Sequence, residues 1–193
     1  AYRSRYLVLT PVSNEERKEK EACYDSSARA DISGRGKLLA AYRIGLQDGV
    51  LKEYERLDIT EKLPADCWYV YLETATESPW YNNQTYVDTL NPEAIQEFIK
   101  ETHEKYYGLL KEDFGKCVPS IFTDEPQFSH KTQMGRADEK CDIVLPYTES
   151  FEARYQAQYG ESFFDRLPEV IWETEDAAGH GVRYRYHELL AEQ

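Results

Sequence analysis

No apolar stretch in this chain approaches the length that spans a bilayer, so no transmembrane helix is expected, and no leader-like segment is present. Positive charge is scarce. Lys and Arg total 23 against 36 Asp and Glu, the formal net charge is -13, and no basic patch relieves it. A surface of that sign repels phosphate backbones and anionic lipid, which excludes nucleic acid and membrane as partners. The four cysteines, Cys23, Cys67, Cys117 and Cys141, form no CxxC pair and sit in no Cys/His cluster. Zinc and thioredoxin-type chemistry are thereby excluded, and neither a metal nor a cofactor is implied. Also missing are a glycine-rich phosphate loop, a nucleophilic Ser or Cys arrangement, and an internal repeat.

At 193 residues the chain reads as a single domain, 1–193, long enough to bury a core without disulfides. Free thiols and a reducing, cytoplasmic compartment are therefore favoured. The ending at 186–193 reads as a helix cut in mid-pattern, so the domain is expected to be a piece of something longer. What the chain does have is aromatic residues: 16 Tyr, 7 Phe and 3 Trp. Flat rings suit a surface that packs on the face of a neutral sugar, and they also fill half-buried core positions.

The residue pattern gives an order of elements. Residues 6–10 are apolar and read as a strand, and the Glu/Lys-rich stretch 13–23 as a solvated helix or loop. Gly34 and Gly36 mark a turn in 31–37, and the region 1–37 is only weakly assigned. Asp48-Gly49 between two β-compatible runs, 38–46 and 50–57, predicts a hairpin within a segment 38–66. The aromatic run 67–73 predicts a strand ending in Glu73. A long polar loop follows at 74–90, carrying Trp80, Tyr81, Asn82, Asn83, Tyr86 and Asp88. Asn91-Pro92-Glu93 has the chemistry of a helix start. Ile95, Phe98, Ile99, Thr102, Tyr106 and Leu109 then form an apolar stripe expected to pack on a sheet.

A second strand is predicted at 118–125, ending in Asp124-Glu125-Pro126. Strand, helix and strand make a parallel βαβ unit with a right-handed crossover, so the loops after both strands share one sheet edge. Glu73, Trp80, Asp88 and Glu125 are then expected to approach one another. Further on, 127–142 reads as a loop and 143–145 as a short strand. Helices are predicted over 149–159, ended by Gly160, over 163–172 with a break at Pro168, and over 182–192 after a turn at 179–181.

Three blocks carry a resemblance: 80–95 (WYNNQTYVDTLNPEAI), 102–106 (THEKY) and 121–126 (IFTDEP). With them go 145–148 (LPYT), 167–170 (LPEV) and 183–187 (RYRYH). From about Leu38 onward the chain resembles the large bacterial and fungal glycoside hydrolases related to α-L-rhamnosidases, whose catalytic domain is a (β/α)8 barrel. The resemblance implies an α/β fold: part of such a TIM barrel, with parallel βαβ units over 67–193 and the antiparallel hairpin as an insertion. A complete barrel takes about 250 residues, so only its middle would be present. The implied partner is a carbohydrate, α-L-rhamnosides among the candidates, and the isolated piece is expected to fold alone, to pair with another copy, or to be inert.

Glycoside hydrolysis needs two carboxyl groups flanking the scissile bond. Glu125, at a predicted strand end, is the candidate general acid. Burial or the charge of Asp124 would raise its pKa for that task. Asp124 either touches substrate or turns to hydrogen-bond backbone. The partner carboxylate stays open among Glu73, Asp88, Glu149 and a residue beyond Gln193. Glu73 is placed to hold a sugar hydroxyl, while Asp88 suits a substrate contact or a structural role beside the helix cap. Trp80, Asn82, Asn83 and His130 are candidate substrate contacts, whereas His103 and His187 fit packing roles. Asn83-Gln84-Thr85 is formally a glycosylation sequon and reads here as a sugar-contacting loop. A carbohydrate-binding module without chemistry is the alternative to a hydrolase.

Overall fold

The computed structural model describes residues 2–19, 36–123, 126–129, 131–132, 134–176 and 178–192. In chain order it runs β1 (Arg5–Thr10), α1 (Asn14–Glu19), β2 (Lys37–Gln47), β3 (Val50–Arg56) and β4 (Trp68–Thr74). Then come α2 (Pro92–Ile99), a π-helical turn (Lys100–Glu104) and α3 (Lys105–Leu110), which together make one helical arm. β5 (Ile143–Pro146), α4 (Phe151–Tyr159), α5 (Phe163–Ile171), β6 (Glu173–Thr174) and α6 (Ala178–Ala191) complete the order.

The six strands form one curled sheet, a half-barrel, in the order β5-β1-β4-β2-β3-β6. Every pairing is antiparallel except the short parallel β3–β6 ladder. This overturns the expected partial (β/α)8 barrel built from parallel βαβ units. The reason lies in β1. Tyr6, Leu7, Val8 and Leu9 are buried on both faces, the pattern of an interior strand whose backbone edges are both paired. β1 therefore separates β4 from β5, antiparallel to each. The hairpin is part of the same sheet, because β2 pairs with β4.

The predicted second strand is also corrected. Residues 118–123 carry no strand, and Phe114–Val118 is an isolated bridge. Pro119 cannot donate to a ladder, and Ile121 and Phe122 stand exposed rather than buried. The helix after Asn91 forms as predicted, with Asn91 accepting from the Glu93 N–H at 3.0 Å and Pro92 in the first turn. It does not pack on the sheet. Phe98, Ile99, Tyr106 and Leu109 are exposed, and Ala94 is the buried residue of α2.

Local turn chemistry matches its sequence signals. Asp48 (φ 53°) and Gly49 (φ 81°) take the left-handed conformations of the hairpin turn. Gly160 ends α4 at φ 75°. The expected turn at 179–181 lies instead inside α6. There the absent side chain of Gly179 lets the helix approach Thr174, whose Oγ1 would lie 2.8 Å from an added Cβ.

The main core lies on one face of the sheet. Leu7, Leu9, Tyr42, Trp68, Val70 and Leu145 pack there against α4, α5 and α6 through Phe151, Tyr155, Phe163, Leu167 and Tyr186. The other face carries Tyr6 and Val8 in one cluster and Ala41, Cys67, Tyr69 and Tyr71 in another. Cys67, Cys117 and Cys141 are free thiols, and Cys23 lies outside the described residues.

Pro168 does not break α5. Having no N–H, it leaves the Phe164 carbonyl, four residues back, without its helical donor. The Tyr42 hydroxyl donates to that carbonyl from β2 in the buried interior. Tyr42→Phe is therefore expected to destabilise the fold by about 1–3 kcal/mol, the cost of orphaning a buried acceptor. Urea unfolding measures this, and a change no larger than that of Tyr106→Phe, at an exposed position, would show that the carbonyl finds another donor.

Candidate functional site

β4 and β5 are both antiparallel to β1, so they point the same way and end at the same sheet edge. Arg5 lies opposite Thr74 and Tyr6 opposite Pro146, which brings the start of β1 to that edge as well. The loop after β4 is fastened there. Ser4 donates to the Tyr86 carbonyl and Asp88 to the Tyr2 carbonyl, both at 2.9 Å, around an Arg3–Val87 bridge. Loop and edge thus form one surface, a different juxtaposition from the expected one, which joined the loop after 67–73 to the loop after a strand at 118–125, where residues 118–123 carry no strand.

Asp88 is buried. Its Oδ2 accepts from the Thr148 hydroxyl at 2.8 Å, just past β5, and its Oδ1 from the Leu90 N–H at 3.2 Å. Burial raises its pKa above the ordinary carboxylate range, opposed by these two hydrogen bonds and by the charge of Arg5. The carboxylate joins the two strand-end loops and leads into the Asn91 cap, whose N–H donates to the Asp88 carbonyl.

Glu73 is buried on the sheet face away from α4–α6, beside Tyr6. Its Oε1 accepts from the Gly36 N–H at 3.1 Å. A Cβ on Gly36 would lie 2.7 Å from that oxygen, so glycine is what permits the contact. The Gly36 carbonyl in turn accepts from the Asn14 amide. This geometry makes Glu73 a tie between the 36–37 segment and β4.

Trp80 lies at the other extreme, 79% exposed on a single 3-10 turn (Pro79–Tyr81). The backbone around it is fixed. Ser78 pairs with Gln84, the Trp80 N–H donates to Ser78 Oγ, and Tyr81 packs on Tyr86 with ring centroids 4.9 Å apart. Asn82 and Asn83 follow at φ 55° and 57°, both exposed. Asn is among the few residues with a side chain that tolerate this left-handed conformation, which is why two of them can make the turn. Trp80, Asn82 and Asn83 therefore share one presented surface, separate from the buried Glu73 and Asp88.

Glu125, Asp124 and His130 lie outside the described residues. Their flank is fixed to the loop, however: Tyr86 Oη accepts from the Gln127 N–H at 3.1 Å, and Thr89 Oγ1 donates to the Gln127 carbonyl at 2.5 Å. Among the described residues, no group of three or more His, Cys, Asp or Glu is placed to hold a metal ion. No helix among them is long and apolar enough to cross a membrane.

The same edge carries Tyr2, Arg3, Arg5 and Arg154, which sequence reasoning missed, beside Asp88 and Glu149, which it named as candidate partner carboxylates. A cleft lies between the start of β1, the first turn of α2 and the turn into α4, lined by Tyr2, Arg3, Arg5, Asp88, Glu149 and Arg154 among others. Arg5 and Glu149 form an ion pair across it. No sequence signal points to this group, since residues 2–5 and 148–154 meet only through strand pairing. Compared with known proteins, the chain matches no family model, no curated protein and no solved structure.

Proposed function

We propose that this chain handles carbohydrate and binds a glycan through the loop that follows β4. The observation that carries this reading is Trp80, an indole 79% exposed on a turn held by its own backbone hydrogen bonds. A large exposed ring on a fixed support loses little freedom on binding and offers a flat apolar face to a sugar ring. The Asn82 and Asn83 amides stand beside it with both donors and acceptors for hydroxyl groups. The net charge of -13 suits a neutral partner rather than an anionic one.

A hydrolase reading rests on the residue blocks at 87–92 and 122–126 and on their resemblance to the rhamnosidase-related glycoside hydrolases. In it Glu125 protonates the leaving oxygen. The strand-end argument for Glu125 is lost with the strand at 118–123, which makes binding through the Trp80 loop the better supported reading.

One set of measurements tests both. Binding to soluble plant and microbial oligosaccharides is expected to weaken at least about tenfold in Trp80→Ala, or about 1.4 kcal/mol, with thermal stability unchanged. Equal affinity in wild type and variant would remove the loop from the binding surface. Hydrolysis of alkyl and activated aryl rhamnosides by wild type and Glu125→Gln tests the chemistry. Selective loss of the alkyl substrate identifies the proton donor. No hydrolysis by the wild type leaves the binding reading alone.

A further inference from the structure

The cleft at the sheet edge holds polar groups that the fold does not use. Among the described residues, the Arg3 guanidinium makes no hydrogen bond or ion pair, and neither the Asn91 amide nitrogen nor the Ser150 hydroxyl is engaged. Arg154 reaches only the Glu192 carbonyl, at 3.4 Å. The groups that are used neutralise one another: Arg5 pairs with Glu149, and Asp88 is held by Thr148 and Leu90. The lining thus mixes spare donors with the carboxylates of Glu93 and Glu192 and carries no large excess of either sign. An anion would meet those carboxylates, and a cation would meet the arginines. A polyhydroxyl ligand suits both, because each hydroxyl donates and accepts.

Volume and shape agree. The cleft is open to solvent on one side and has a volume of about 760 Å³, within the range of small-ligand sites. Tyr2, partly exposed, and Pro92 add apolar surface to an otherwise polar wall. A sugar ring has the matching asymmetry of C–H faces and a hydroxyl rim. Asp88 is part of the wall and stiffens it, because one carboxylate fastens both loops that form the cleft.

We propose that this cleft is a second carbohydrate site, distinct from the Trp80 surface, that takes a neutral sugar unit with its ring against Tyr2 and Pro92 and its hydroxyls on Arg3, Arg154, Asn91 and Ser150. The proposal rests on the reading of the chain as a carbohydrate-handling protein. With two such sites on one sheet edge, a single glycan chain can engage both, and its apparent affinity then exceeds that of either site.

The test is amide-resolved NMR titration with the methyl glycosides of rhamnose, arabinose, galactose, xylose and glucose. Shifts are expected at residues 2–5, 88–93 and 148–154 for at least one of them. Arg154→Leu and Tyr2→Ala are each expected to weaken that response about tenfold, and Trp80→Ala to leave it unchanged. Both lie at the cleft surface, and an unchanged melting temperature checks that the fold is intact. Shifts confined to residues 78–84 would overturn the cleft site while leaving the carbohydrate reading in place. No shift anywhere with any sugar would overturn both.

Discussion

Trp172→Ala is expected to cost about 3–5 kcal/mol of stability, the largest effect of any single truncation considered. Trp172 closes α5, is 1% exposed, and is the largest of the fully buried side chains. Its ring meets Trp68 of β4 edge to face, with centroids 5.2 Å apart. Its indole N–H donates to the Ala137 carbonyl at 2.9 Å and holds the 134–140 segment against the core. Truncation opens a cavity, removes an aromatic pair and orphans a carbonyl together, and these penalties add. Trp172→Phe keeps most of the volume and loses the hydrogen bond, so it should fall between wild type and alanine. Urea midpoints of the three proteins measure this. A loss below about 1 kcal/mol for alanine would mean that α5 repacks onto the sheet without the ring.

Arg166→Met is expected to cost about 3 kcal/mol at neutral pH. Arg166 grips Glu169 with two bonds, at 2.7 and 2.8 Å, and Tyr54 of β3 donates to the same carboxylate at 2.6 Å. Arg166 also reaches Glu161, which pairs with Arg185 of α6. The Glu169 side chain is only 8% exposed, so removing Arg166 leaves a buried charge with one donor. Burial pushes the Glu169 pKa up, but the bonds from Arg166 and Tyr54 outweigh it and hold the group below the ordinary carboxylate range. The sign follows from proton linkage. Between the depressed folded value and the ordinary one, the unfolded chain binds the proton more readily. The stability from this pair is therefore complete above the ordinary carboxylate range and is lost as pH falls through the folded value. The gap between wild type and Arg166→Met should narrow on acidification. A gap independent of pH would assign the loss to packing of the arginine stem rather than to charge.

Much of what depends on neighbours within a few residues was legible in the sequence, although the turn expected at 179–181 and the break expected at Pro168 did not form. Asp48-Gly49 made its hairpin turn, Asn91-Pro92 opened its helix and Gly160 closed another, because capping and left-handed backbone are properties of local chemistry. The apolar runs at β1, β4 and β5 also became strands where expected. Length can mislead even here. The run at 118–123 has the composition of a strand, but Pro119 interrupts it and no partner strand pairs with it.

Which strands lie side by side was decided only in three dimensions. Residues 67–125 read as a βαβ unit because a helix follows a strand, and nothing in that stretch reveals that β1, far upstream at Arg5–Thr10, occupies the space between β4 and the next parallel strand. The stripe of α2 and α3 was read correctly as amphipathic, yet its face stands exposed, since a stripe states what could be buried and not against what. The candidate site divides along the same line. Trp80 and the two asparagines are close in sequence, and their shared surface follows from a local turn. The sheet-edge cleft joins residues 2–5 to 148–154, and Asp88 to Thr148 across sixty positions. Those contacts exist because antiparallel pairing on β1 brings distant strand ends to one edge, and the register that does so is written in no single segment.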